Sequence, residues 1–196
     1  MTERRPGAPP PAEAERPDLS CPQPAAVFGS LFDAHAAALH RYLARRVGAG
    51  AADDLVSETF LVALQRRHSY DPARAAVRSW LYGIATNLLR GHLRAEVRGY
   101  QATARAAARQ RPEDGHDGRV AAMVDAEAAT LGLAAALAGL APGDRDVLLL
   151  TSWAGLDSTE VAEALDIPVG TVRSRLHRVR RELRAHAPDH GKEDPR

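Results

Sequence analysis

Residues 158–183, STEVAEALDIPVGTVRSRLHRVRREL, restrict the fold of this chain more than any other stretch. They read as two short helices around a tight turn, with arginine concentrated in the second. That is the sequence form of a helix-turn-helix. Pro168 pre-sets the backbone for a helix start, and Gly170 falls in the first turn. At about 100° per residue, Val172, Leu176, Val179 and Leu183 fall on one stripe, the core face. Thr171, Ser174, His177, Arg178 and Arg181 point the other way, flanked by Arg173, Arg175, Arg180 and Arg184. In the first helix Ser158 is the expected N-cap, and Val161, Ala162 and Leu165 supply the apolar face. Asp166 and Ile167 fill the turn, with Ile167 expected to plug the space between the helices.

The chemistry suits DNA. Arginines neutralise phosphates and release counterions, and short polar side chains near a helix start reach base edges. An arginine-rich helix is by default a solvated surface. Here the spacing, the turn and the segregated basic face occur together, which favours DNA binding. Arginines that read a base and arginines that hold a phosphate look alike in sequence.

The basic charge is local: over 196 residues the net charge is only +1. That excludes a polybasic wrapper of nucleic acid. The length accommodates one medium domain or two small ones. An aromatic content of 5% favours small helical units over one large core. The single cysteine, Cys21, excludes an internal disulfide and any multi-cysteine metal site. No apolar segment of signal-peptide type opens the chain, and no run is long enough to span a membrane, so a cytoplasmic location is expected.

Residues 1–26 are rich in Pro, Ala, Glu and Arg and are expected to be a disordered tail. Residues 27–96 form a first packed unit. Residues 97–125 are expected to be a flexible linker, with Arg98, Arg105, Arg109 and Arg111 ahead of a breaker-rich segment and an alanine-rich stretch at 101–110 able to turn helical. Residues 126–186 form a second unit, in which Leu131, Leu133, Leu137 and Leu140 precede a helix carrying Val147, Leu148, Leu150 and Trp153. Residues 187–196 are expected to fray. No segment alternates with period two, so the prediction is an all-α protein of two small helical domains.

Three helices are readable in the first unit. One covers 28–46. A second is capped by Asp53, and a third, WLYGIATNLLRGHLR, is capped by Ser79. On the second, Leu55, Val56, Thr59, Phe60 and Ala63 make a broad apolar face. Asp54, Ser57, Glu58, Leu61 and Gln65 line up opposite, one leucine inside an acidic, polar strip. By spacing alone this is a solvated face with a stray leucine. The sharper alternative is a protein-docking strip, an apolar anchor rimmed by carboxylates. A metal or acid–base site at Asp53, Asp54 and Glu58 is disfavoured, because no histidine or second carboxylate cluster converges on them in sequence. On the third helix Trp80, Leu81, Ile84, Ala85 and Leu88 face inward, and Thr86, Asn87, Arg90 and Arg94 share the opposite side, a second face suited to DNA. The loop before it, residues 68–79, holds Tyr70, Asp71, Pro72, Arg74 and Arg78, and its aromatic and guanidinium planes are able to stack on an unpaired base.

These segments in this order resemble bacterial RNA polymerase sigma factors. The similarity is to the extracytoplasmic-function (ECF) group, which keeps only sigma domains 2 and 4. The residues that carry it are DDLVSETFLVAL, YDPARAAVRSWLYGIATNLLRGHLR and LAPGDRDVLLLTSWAGLDSTEVAEALDIPVGTVRSRLHRVRREL. The resemblance implies that Asp54, Ser57, Glu58, Leu61 and Gln65 bind the clamp helices of the polymerase largest subunit. It implies that Tyr70, Asp71, Arg74, Arg78, Thr86, Asn87, Arg90 and Arg94 act in −10 recognition and melting. It assigns −35 recognition to Ser158, Thr159, Pro168, Gly170, Thr171, Arg173, Ser174, Arg175, His177 and Arg178, and docking of the C-terminal domain to the flap of the second-largest subunit. Many relatives are held inactive by an anti-sigma protein, which makes one a candidate partner. Gly91 stands where the family often has aspartate and Thr86 where it often has arginine. Gly91 costs its helix about 1 kcal/mol relative to alanine.

A sigma factor carries out no covalent chemistry, so neither catalytic residues nor a cofactor or metal is expected. The alternative is a stand-alone helix-turn-helix regulator, which would ordinarily carry a phosphoacceptor or ligand domain that this sequence lacks. An enzyme using Asp53, Asp54 or Glu58 would need a nucleophile–base pair, a phosphate-cradling loop or metal-ligand spacing, none of which is present.

Overall fold

Gly48 sets how the first unit packs. Its φ of 80° lies in the left-handed region that favours glycine, and its N–H bonds back to the Ala44 carbonyl at 2.9 Å. Helix α1 (Pro24–Val47) therefore ends and helix α2 (Ala49–Gln65) begins with one residue between them, folded back as an antiparallel pair. A computed structural model of the chain describes residues 15–21, 23–110 and 139–186. Within these lie six α-helices, one 3₁₀ turn (Arg67–Ser69) and no strand. The remaining helices are α3 (Val77–Gln110), α4 (Pro142–Ser152), α5 (Ser158–Leu165) and α6 (Val169–His186).

Several boundaries differ from expectation. The α2 helix starts before Asp53, because the reversal at Gly48 supplies the start without a side-chain cap. The α3 helix starts at Val77, and Ser79 is fully buried inside its first turn. Ala76 N–H, at the start of α3, is instead bound by the Glu163 carboxylate of the second unit at 3.2 Å. The α3 helix also runs past Glu96 to Gln110, since 101–110 is rich in good helix formers and has no proline. Asp157, not Ser158, caps α5: its carboxylate accepts from the Thr159 and Glu160 N–H groups, and Glu160 closes a capping box by accepting from the Asp157 N–H at 2.9 Å.

The N-terminal segment expected to be disordered through Ala26 is partly ordered. The α1 helix begins at Pro24, and Leu19 is 1% exposed, an apolar anchor for residues 15–21. Residues 1–14, the 111–138 part of the linker and second unit with Leu131, Leu133 and Leu137, and 187–196 lie outside the described residues.

Phe28, Leu31, Leu39, Tyr42 and Leu43 of α1 close against Leu55, Val56, Phe60 and Ala63 of α2, and Leu81, Ala85 and Leu89 of α3 complete that core. In the second unit Val147, Leu149 and Leu150 of α4, Val161 and Ala162 of α5, and Val172 and Leu176 of α6 pack together. Ile167 lies partly buried against them. The two units are not separate: their buried side chains form one contiguous cluster, with α3 packed along α5.

Candidate nucleic-acid and partner interfaces

The acidic strip of α2 is fully on the surface. Asp53, Asp54, Ser57, Glu58, Leu61 and Gln65 are all exposed, while Leu55, Val56, Thr59, Phe60 and Ala63 are buried. Leu61 is 54% exposed, an apolar side chain held outward by a helix whose other face is locked in the core. Phe32 of α1 is also exposed, its ring 5.0 Å from that of Phe60. A histidine does approach this strip, contrary to the sequence expectation: the α1–α2 reversal brings His40 Nε2 to 3.2 Å from Asp53 Oδ1. Asp53 is mostly solvated, so this is a surface contact of little energetic weight. Among the described residues no group of three His, Cys, Asp or Glu side chains is placed to hold a metal.

The face of α3 is divided. Asn87 and Arg94 are exposed, and Arg90 is half-buried. Thr86 corrects the sequence reading: it is fully buried, with its hydroxyl 3.2 Å from that of Tyr42. Tyr42 needs a polar partner inside the core, and Thr86 supplies it; burial pushes the Tyr42 pKa up to about 12. Tyr70 is likewise withdrawn, 7% exposed, its hydroxyl donating to the Ala75 carbonyl at 3.0 Å and its ring 5.0 Å from that of Trp80. Tyr70 shapes the loop at 66–76 rather than standing free of it. Beside it lies a cavity of about 300 Å³ whose lining includes Tyr70, Arg74, Trp80, Asn87, Glu163 and Asp166. Asp71 is exposed and its carboxylate accepts from the Ala73 N–H, an Asx turn that fixes the loop.

The remaining arginines of this face are in use. Arg78 donates to Glu160 Oε1 at 2.8 Å and to the Ala154 carbonyl at 2.6 Å. Arg90 grips Asp146 at 2.6–2.7 Å, and Arg74 pairs with Asp166. Each acceptor belongs to the second unit. Behind Arg78, burial and then the Arg78 charge hold the His35 pKa below its usual 6.5, so this imidazole is neutral near pH 7.

In the helix-turn-helix, Val172 and Val179 are fully buried and Leu176 nearly so, as the spacing predicts. Gly170, Arg173, Ser174 and His177 are exposed, and Thr171 half-exposed, at the start of α6. Pro168 and Thr159 are exposed and Ser158 half-buried. Arg175 and Arg178, expected on the DNA face, turn toward α4. Arg175 lies 3.8 Å from the Asp144 carboxylate and donates to the Gly143 carbonyl at 3.4 Å, and Arg178 binds Asp144 directly. Asp144 is buried at the start of α4 and needs a cation, and these two are within reach.

Among the described residues no helix is long and apolar enough to cross a membrane. The chain matches the Sigma-70 region 2 family over residues 31–99 and the Sigma-70 region 4 family over residues 131–183. It is 37% identical over 148 residues to the probable RNA polymerase sigma-C factor of Mycobacterium bovis, covering 75% of this chain and 76% of that one. It is 34% identical over 161 residues to the ECF RNA polymerase sigma factor SigL of Mycobacterium tuberculosis, covering 82% and 88%. The solved structure of CnrH in complex with the cytosolic domain of CnrY superposes with a TM-score of 0.56 at 26% identity, over 89% of this chain and 94% of that one. The sigma factor RpoE of Bartonella quintana, solved with the anti-sigma factor NepR, shares the fold with a TM-score of 0.55 at 20% identity, over 81% and 95%. On these matches, and on the two helical units that carry them, the chain belongs to the ECF group of sigma-70-type RNA polymerase sigma factors, non-enzymatic factors of transcription initiation.

Proposed function

We propose that this chain binds core RNA polymerase and directs it to promoters by contacting a −35 element with α6 and a −10 element with α3 and the loop before it. The observation that carries this reading is the exposed α2 strip. A DNA-binding regulator has no use for Leu61 standing in a row of carboxylates, whereas a subunit that must dock on a basic surface does. Asp54, Ser57, Glu58, Leu61 and Gln65 are the proposed polymerase contacts, on the clamp helices of the largest subunit, and the C-terminal unit meets the flap of the second-largest.

On the promoter, Thr171, Arg173, Ser174 and His177 at the start of α6 reach the major groove. Asn87, Arg90 and Arg94 hold the backbone of the opened strand, with Arg74 at the cavity beside Tyr70 and Arg78 in the first turn of α3. The first-unit wall of that cavity, with Tyr70, Trp80 and Asn87, offers aromatic and amide groups to an extruded base. Trapping a base there replaces the stacking lost from the duplex and draws the melting equilibrium forward. The polymerase supplies all the chemistry. Because CnrH and RpoE have been solved with CnrY and NepR, an anti-sigma protein is a further proposed partner.

The test is reconstitution. Purified protein is mixed with core polymerase and assayed for transcription from candidate promoters. Core-dependent initiation is the expected result. Failure to bind core, together with tight DNA binding by the protein alone, would favour a stand-alone helix-turn-helix regulator.

A further inference from the structure

The middle of α3 carries two parallel rows of side chains. Arg90, Arg94 and Arg98 are spaced four apart and share one ridge of the helix, and Leu93 and Val97, also four apart, share the ridge beside it. Val97 is 54% exposed, and among the described residues only Phe32 and Leu61 are large apolar side chains left as open to water. Both rows line a cavity of about 450 Å³. Arg46, in the last turn of α1, closes one side of it, and Pro142 and Arg145 of α4 close another. This cavity shares no lining residue with the one beside Tyr70.

Its charge is one-sided. Five arginines meet a single carboxylate, Asp146, and Arg90 already binds that carboxylate at 2.6 Å. Glu96, beside Val97 in sequence, lies 3.6 Å from His92 and is not part of the lining. Arg94 and Arg98 stand exposed. Arg46 is the most informative of the five, because its Nη1 is shielded from water and has no hydrogen-bond acceptor. A guanidinium donor held out of water without a partner costs free energy that an anionic oxygen would recover. Gathered arginines also repel one another, and an anion among them relieves that repulsion. The apolar row asks for something more than an ion: Leu93 and Val97 gain only if hydrocarbon covers them.

We propose that this cavity is a binding site for a small organic anion: an acid group held by Arg46, Arg94 and Arg98, with an aromatic or alkyl body laid over Leu93 and Val97. A carboxylate, a sulfonate or a phosphate ester meets the arginines equally well, since each offers anionic oxygens to a planar fork of donors. The cavity has the volume of a site for a small organic molecule rather than for a lone ion. Asp146 holds Arg90 at the rim, so the acid group of the ligand falls to the arginines beyond it. Arg94 is also a proposed promoter contact, and an occupied site would therefore compete with DNA for it. The site does not rest on that reading, because the probes that test it include no nucleic acid.

The test uses the full-length protein and matched probes. Anilinonaphthalene sulfonate carries both the acid group and the apolar body, phenylnaphthylamine is the same body without the acid, and inorganic phosphate is an acid without a body. Both dyes brighten on leaving water, so fluorescence titration reads their binding directly. The sulfonate dye is expected to saturate and to bind about tenfold more tightly than the uncharged dye, the difference made by one charge-assisted hydrogen bond. Phosphate is expected to displace it only weakly. Val97→Asp and Arg98→Gln change exposed side chains, and each is expected to weaken the sulfonate dye about tenfold, as the loss of the apolar row or of one arginine implies. Leu61→Asp, at an exposed leucine outside the cavity, is expected to leave dye binding unchanged. Circular dichroism checks that each variant is folded. Equal affinity for the two dyes overturns the proposal by reducing the site to an apolar patch. Displacement by phosphate as effective as by unlabelled aryl sulfonate overturns it by reducing the site to a basic surface. Dye binding that survives both cavity substitutions, or that is lost in Leu61→Asp, places the dye elsewhere and also overturns it. If Val97→Asp does not fold, Arg98→Gln and the dye pair still decide.

Discussion

Arg178 grips Asp144 through two hydrogen bonds, Nε to Oδ2 at 2.7 Å and Nη2 to Oδ1 at 2.6 Å. The pair ties the third turn of α6 to the first turn of α4, and it engages an arginine that periodicity places on the DNA face, with the side chain still 48% exposed. Asp144→Ala should lower the urea midpoint of the protein, because α6 loses its polar tie to α4 and α4 loses an acid near its positive end. The hydrogen bonds from Arg178 outweigh burial and hold the Asp144 pKa below its ordinary 3.8. The unfolded chain therefore takes up the proton first. The stabilisation is complete above the unfolded value and is lost as pH falls through the lower, folded value. An acid-unfolding series should show a limb below about pH 4 that Asp144→Asn flattens.

Leu61→Asp should weaken binding to core polymerase without unfolding the chain. An apolar anchor in a docking strip is commonly worth about 2 kcal/mol, or roughly 30-fold in affinity. At 54% exposure, the side chain contributes little to the core of the free protein. Competition for core polymerase against the wild-type chain measures the loss, and an unchanged melting temperature separates it from misfolding.

Arg173→Ala should weaken DNA binding by the helix-turn-helix and reduce the slope of log K against log salt by about 0.9 if the side chain neutralises one phosphate. Arg178→Ala should behave differently, losing stability with little change in slope, because its guanidinium is held by Asp144.

Thr86→Val should leave the Tyr42 hydroxyl buried without its partner, at a cost of about 1–3 kcal/mol in thermal or urea unfolding. DNA affinity should not change beyond what the lost stability explains. A selective loss of promoter opening at full stability would return Thr86 to the DNA face.

Periodicity is enough to find most of the local structure. Val172, Leu176 and Val179 are core, and the strip from Asp54 to Gln65 is exposed, because both follow from the turn angle of a helix with one anchored face. It fails where a polar residue satisfies another polar residue inside. Thr86 looks like surface until Tyr42 is placed beside it, and Arg178 looks like a phosphate contact until Asp144, 34 positions away, is brought up to it. Caps are misplaced for a similar reason: α2 begins on a backbone reversal at Gly48, and the head of α3 is met by Glu163 from 87 residues further on. The N-terminal segment reads as unstructured because its composition is polar, yet a single leucine, Leu19, anchors it. The union of the two units has no sequence signal at all. It depends on complementarity between arginines and carboxylates that each look like ordinary solvated charge, and on Gly83, whose absent side chain leaves room for Ala164.

Glu160 serves two masters. One oxygen closes the capping box of α5, and the other receives Arg78. The carboxylate thus links the local start of a helix to a contact 82 residues away in sequence. Replacing Glu160 would therefore disturb the start of α5 and the contact between the units together, whereas replacing Arg78 leaves the capping box in place.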